Sequence, residues 1–152
     1  MGDTPQTAES HEQAGRGHWT ILHPADLRIE AWGPTREDCL AEAVLGLVDS
    51  FAVVAGRPLH GRAERHMTSR SDEGLLVGVV DEVIYWLKAG GDIPASIAVR
   101  RALDGGVVMV LLLVRAADAD IIGPAPKAAT WHDLRCAPDP AGRWTCAVTV
   151  DV

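Results

Sequence analysis

Cysteine is sparse in this sequence. Its 152 residues include three, Cys39, Cys136 and Cys146, and no two stand at CxxC spacing. An odd number leaves at least one thiol unpaired, so a disulfide-stapled mini-protein is excluded and a reduced, cytoplasmic setting is expected. Long apolar stretches are missing too. The longest, Val107 to Val114, falls far short of the ~20 residues that span a bilayer. The first residues show neither the basic-then-apolar order of a signal peptide nor a Ser or Thr at position 6 for myristoylation, and no membrane attachment is expected. Positive charge is in the minority, with 14 Lys and Arg against 21 Asp and Glu and a formal net charge of −7. Gripping a nucleic-acid backbone along a broad face needs the opposite balance, because Lys and Arg must neutralise the phosphates. Catalytic signatures are absent as well: there is no phosphate-cradling glycine loop, no HExxH and no GxSxG. Aromatic residues make up only 5%, and Trp32, Trp131 and Trp144, on predicted strands, read as packing residues.

What is present is enough for one domain. With 47% apolar residues, a chain of this size buries roughly two-thirds of the surface its unfolded form exposes. Residues 1 to 18 carry no aliphatic or aromatic side chain beyond Ala and Pro after Met1, so a disordered tail is expected there, followed by a domain over 19 to 152. Trp19 to Leu22 and Leu27 to Trp32 read as strands separated by His23-Pro24-Ala25-Asp26. Thr35 then caps a helix whose apolar face is Leu40, Val44, Leu47, Val48 and Phe51. Leu59 to Ser69 is polar and reads as an edge strand. Ser71 caps a second helix that holds Asp72 and Glu73 in its first turn and ends at Gly90-Gly91. Ser96 to Ala102 and Val107 to Val114 flank an Asp104-Gly105 hairpin turn, and the apolar run of the second implies a central strand. Arg115 to Pro126 is expected as a loop. A last hairpin pairs Ala128 to Cys136 with Arg143 to Val150. The sum is an α+β fold: two helices packed on a mixed, largely antiparallel sheet in a single domain.

The candidate sites are acids and histidines at strand ends. Asp26 stands just before a strand, where its carboxylate either opens an Asx turn or faces a hard cation. Asp151 is followed only by Val152, so a side-chain carboxylate and the α-carboxylate come together at the end of a strand. That is either a solvated terminus or half of a site for Ca²⁺, Mg²⁺ or Mn²⁺. His23 and His132 are candidate ligands or proton carriers, against the alternative of hydrogen-bonded structural residues. A zinc site drawn from His23, Cys39, His132, Cys136 and Cys146 fails on spacing, since only His132 and Cys136 lie close enough to form a pair. Four arginines (57, 62, 65 and 70) against Glu64 make residues 57 to 70 locally basic, which either guards an edge strand or meets an acidic partner surface or RNA.

The segment His23-Pro24-Ala25-Asp26-Leu27-Arg28-Ile29-Glu30-Ala31-Trp32-Gly33 resembles the H-T-A-D-[IV]-G-[IL]-x-[AV]-[YWF]-G stretch that opens archease proteins, with Pro24 in place of Thr and Arg28 in place of Gly. Further likenesses follow in order: Ala43 to Leu47, Ser71-Asp72-Glu73 with Asp81 to Tyr85, Lys127-Ala128-Ala129-Thr130-Trp131-His132, and the closing Asp151-Val152. The resemblance implies an accessory factor of an RtcB-type RNA ligase, with no turnover of its own, that promotes guanylylation and repeated turnover in tRNA splicing or RNA repair. It implies metal ligation by Asp26, Asp151 and the carboxylate of Val152, with Ca²⁺, Mn²⁺ or Mg²⁺ as the divalent cation. Asp72 or Glu73 is a further acid for the same surface, and His23 and His132 are candidates to orient the ligands or to face the partner. RNA is then reached only indirectly, and neither DNA nor a membrane is a partner. A general chaperone of RNA-modifying enzymes and a small metal-dependent hydrolase using His132 as base are the alternatives.

Overall fold

Both helices start where the sequence places a cap. Thr35 is extended, and its hydroxyl accepts the Asp38 N–H at 3.1 Å, relieving one of the unpaired donors of the first turn. Ser71 does the same for Gly74 N–H at 3.0 Å. The second helix ends on Gly91 at φ 66°, a left-handed conformation that glycine adopts without a Cβ penalty.

The computed structural model describes residues 7–13 and 15–152. In chain order the elements are β1 (Thr7–Gln13), β2 (Arg16–Leu22), β3 (Asp26–Gly33), α1 (Arg36–Phe51), β4 (Ala52–Val53), β5 (Gly61–Met67), α2 (Asp72–Gly90), β6 (Asp92–Arg101), β7 (Val107–Arg115), β8 (Asp120–Ile121), β9 (Ala128–Pro138) and β10 (Trp144–Asp151). They form a five-stranded sheet in the order β1-β2-β3-β10-β9, a three-stranded sheet β5-β7-β6 and a short pair β4-β8. The α+β architecture therefore stands, with two main sheets in which neighbouring strands pair antiparallel. As the apolar run suggested, β7 is central in its sheet, and β5 lies at an edge.

Helix α1 touches β2, β3 and β10 of the larger sheet and β6 of the smaller, while α2 touches β9, β10, β5 and β6. Contact with both sheets explains why α1 buries residues nearly all round, from Cys39 and Leu40 to Val44, Leu47, Val48 and Phe51. Strand β3 alternates instead. Leu27, Ile29 and Ala31 are buried beneath α1, while Asp26, Arg28, Glu30 and Trp32 lie on the outer face. Each large aliphatic side chain buried in this core contributes roughly 1.5–3 kcal/mol.

Two expectations are corrected. The stretch expected as a disordered tail contributes strand β1 and the start of β2, paired from Thr7↔Leu22 to Gln13↔Arg16, so only residues 1–6 and 14 of it lie outside the described residues. Its polarity misled because His18 is buried by ion pairing rather than by apolar contact. The expected loop from Arg115 to Pro126 contains a 3-10 turn at Ala116–Asp118 and β8, which pairs with β4 right after α1.

Candidate metal centre

Antiparallel register brings the first acid of β3 against the last of β10. Asp26 and Asp151 are direct cross-strand partners, so their side chains leave the sheet on the same, outer face. Directly opposite like charges destabilise a sheet by roughly 0.2–1 kcal/mol. Among the described residues, neither carboxylate has an ion-pair partner within 4.0 Å. The turn tightens the group: His23 N–H donates to the Asp26 carbonyl at 2.9 Å, and Val152 N–H donates to the Ala25 carbonyl at 3.3 Å. This second bond holds the main chain of Val152 beside the Asp26 turn. Hard oxygen donors with uncompensated charge suit Ca²⁺, Mg²⁺ or Mn²⁺, and the residues present fit such an ion. No three His, Cys, Asp or Glu side chains cluster for a metal among the described residues.

The other predicted residues are distributed differently. His23 is half-buried in the turn that precedes Asp26. His132 is exposed, its Nε2 3.0 Å from the Asp133 carboxylate. It sits in an excursion of β9: between the pairs Ala147↔Arg135 and Thr149↔Thr130, residues Trp131 to Leu134 leave the ladder, and Asp133 takes φ 51°. The Arg28 guanidinium anchors that excursion by donating to the Asp133 carbonyl at 3.0 Å and to Thr149 Oγ1 at 3.1 Å. Arg28 therefore braces the strand beside the acid pair without neutralising it. Trp131, expected to pack, is 65% exposed on this excursion.

Asp72 and Glu73 are not brought to the acid pair. Asp72 Oδ1 accepts from buried Arg36 Nη1 at 2.9 Å, and Arg36 Nη2 also reaches the carbonyl of Gly105. Burial opposes the Arg36 charge, but the hydrogen bonds to Asp72 and Glu37 more than restore it. Arg36 follows the far end of β3, about 23 Å along the strand from Asp26, so Asp72 locks the opposite end of the molecule. The acid of α2 that reaches the Asp26–Asp151 end of the sheet is Asp81, whose Oδ1 accepts from Ala129 N–H at 3.0 Å, one residue from the Ala128 that pairs with Asp151. Nine residues of helix, about 13 Å, separate it from Asp72. The signal was its position in the middle of α2, which faces β9.

A second ionic group is buried on the inner face. His18 Nδ1 lies 2.8 Å from Glu42 Oε1, and its Nε2 lies 3.0 Å from Asp49 Oδ2. Arg16 reaches the other Glu42 oxygen at 2.6 Å and Asp38 at 2.9 Å. Burial pulls the imidazole toward neutrality, yet the bonds to Asp49 and Glu42 outweigh it and raise its pKa to about 9. Burial likewise opposes ionisation of Glu42, and His18 and Arg16 overcome it, holding the carboxyl below its ordinary range. Gly46 allows this approach, since a Cβ there would come within 3.1 Å of the His18 ring. The three cysteines, dispersed in sequence, also converge: Cys136 is the cross-strand partner of Cys146, whose Sγ is 3.1 Å from Cys39 Sγ. The Cys39 bond and burial push the Cys146 thiol up, and burial does so for Cys136, so these thiols serve packing.

Fold and site define a small α+β protein with oxygen donors gathered at one end of an antiparallel sheet. Residues 19–152 match the archease protein family, and the chain belongs to that family. It is 42% identical over 146 residues to the "Probable protein archease" of Mycobacterium tuberculosis strain CDC 1551 / Oshkosh, covering 92% of this chain and 80% of that one. The same figures hold for the protein of that name in strain ATCC 25618 / H37Rv. The solution structure of Protein 1598 from Methanobacterium thermoautotrophicum superposes with a TM-score of 0.64 at 16% identity, covering 88% of this chain and 96% of that chain, a likeness of fold. Among the described residues no helix is long and apolar enough to cross a membrane.

Proposed function

We propose that this protein is a metal-binding, non-catalytic accessory factor of an RtcB-type RNA ligase, promoting guanylylation and repeated turnover during tRNA splicing or RNA repair. The observation that carries the reading is the acid pair: Asp26 opposite Asp151, with Val152 tied to Ala25, in a chain of the archease family. Asp26, Asp151 and the Val152 carboxylate would hold the cation, which supplies Lewis acidity toward phosphate oxygens at the surface where the ligase docks. The chain's own contribution is placement: the turn at Pro24-Ala25 and the end of β10 fix the donors, and Arg28 braces the neighbouring strand.

Guanylylation of the ligase from the same organism, measured with and without this protein across a Mn²⁺ series, tests the reading. Wild-type protein raises both labelling and the number of ligations per enzyme. Asp26→Asn, or a C-terminal extension that converts the Val152 carboxylate to an amide, returns both to the level of the ligase alone while circular dichroism stays unchanged. Full activation by either folded variant refutes the metal-dependent role.

A further inference from the structure

The outer face of the five-stranded sheet carries a second feature that the acid pair does not use. A cleft of about 470 Å³ opens on it, lined by Trp19, Glu30, Trp32, Arg135, Arg143 and Thr145. Trp19 and Trp32 meet edge to face, with ring centroids 6.3 Å apart at 86°, and Trp19 remains 42% exposed. The Arg143 guanidinium lies 6.0 Å from the Trp32 ring centroid, and Arg135 is exposed with no ion pair among the described residues. Arg143 also pairs with Asp139, Nε to Oδ2 3.5 Å, so Arg135 is the cation of the cleft with no ion pair among the described residues, on a chain of net charge −7. Exposed Trp beside Arg is the combination that stacks an unpaired base and holds its phosphates.

We infer that this cleft binds single-stranded nucleic acid, with one base against the Trp19–Trp32 pair and the flanking phosphates on Arg135 and Arg143. In the setting proposed above, the strand is RNA. An acidic peptide would satisfy the arginines but not the floor of the cleft, where Glu30 Oε1 already accepts from Trp19 Nε1 at 2.7 Å and would repel a second carboxylate. A base instead brings amino and imino N–H donors to that carboxylate. A duplex keeps its bases stacked and cannot present one to the rings. The outward residues of β3 run from Asp26 through Arg28 and Glu30 to Trp32, about 20 Å along one strand. A nucleic-acid strand held in the cleft would therefore extend along the face that ends at the acid pair.

The test is fluorescence anisotropy of an end-labelled, roughly ten-nucleotide strand with the full chain alone, in EDTA and without ligase, so that its outcome is separate from that of the ligase assay. Single-stranded RNA and DNA arms show how far the 2′-hydroxyl contributes, and either binding supports the site. Trp19→Ala weakens binding about tenfold, while Trp19→Phe recovers most of it. Arg135→Gln, at an exposed position without an ion pair, weakens binding and lowers the salt slope by about one. No binding of either strand, equal binding by wild type and Trp19→Ala, or a preference for duplex or poly-glutamate overturns the proposal.

Discussion

Two groups of acids sit on opposite faces of the same sheet and are treated in opposite ways. On the inner face, Glu42, Asp49 and Asp38 close on His18 and Arg16, so each of these negative charges meets a cation where β2 packs on α1. On the outer face, Asp26 and Asp151 stand opposite each other, and neither has an ion-pair partner among the described residues. Internally balanced charge fastens β2 to α1. Charge left unbalanced at a rim, held there by turn and register, is available to a ligand from outside.

The inner group gives the largest effect when broken. His18→Ala leaves Glu42 and Asp49 without the imidazolium and costs about 3–5 kcal/mol of unfolding free energy, read by denaturant titration. A loss below about 1 kcal/mol would mean that Arg16 alone balances the cluster. The pH dependence comes next. Because the folded pKa of His18 is raised to about 9 from 6.5, its stabilisation is complete below about pH 6.5 and is lost as pH climbs through 9. The difference is roughly 3 kcal/mol, and the His18→Gln variant flattens that part of the stability profile. At the outer group, Ca²⁺ at about 100 times its dissociation constant raises wild-type stability by about 2.7 kcal/mol. It leaves the Asp26→Asn/Asp151→Asn double variant unmoved in a thermal melt, and an equal Ca²⁺ shift in both proteins would place the ion elsewhere. Smallest is the effect of Asp26→Asn in EDTA: relief of like-charge repulsion stabilises the protein by about 0.2–1 kcal/mol. A destabilisation there would show that the aspartate serves its turn instead.

These contrasts also mark what sequence could convey. Both helices were legible because Thr35, Ser71 and Gly91 act on neighbours within a few residues; Asp26 and Asp151 were legible singly as acids beside a turn and a strand end, and only the family resemblance implied that they come together. The start of β2 was not. His18 looks like a tail residue until Glu42 and Asp49, 24 and 31 positions away, are brought to it by α1. Asp72 was assigned to the wrong end because the direction of α2 relative to β3 is a tertiary fact; its partner Arg36 lies 36 positions away. Trp131 looks like any strand tryptophan, and only the break in pairing between β9 and β10 exposes it.

Helix α1 has a consequence for how the molecule opens. Residues such as Leu40, Val44 and Leu47 have no exposed side, since one sheet covers them from β3 and the other from β6. Neither sheet can detach without wetting the helix that the other needs, so the two are coupled into one cooperative unit. Amide hydrogens in the middle of α1 should accordingly exchange only through global unfolding, at rates set by the whole protein's stability, while the turns at either end exchange through local fraying.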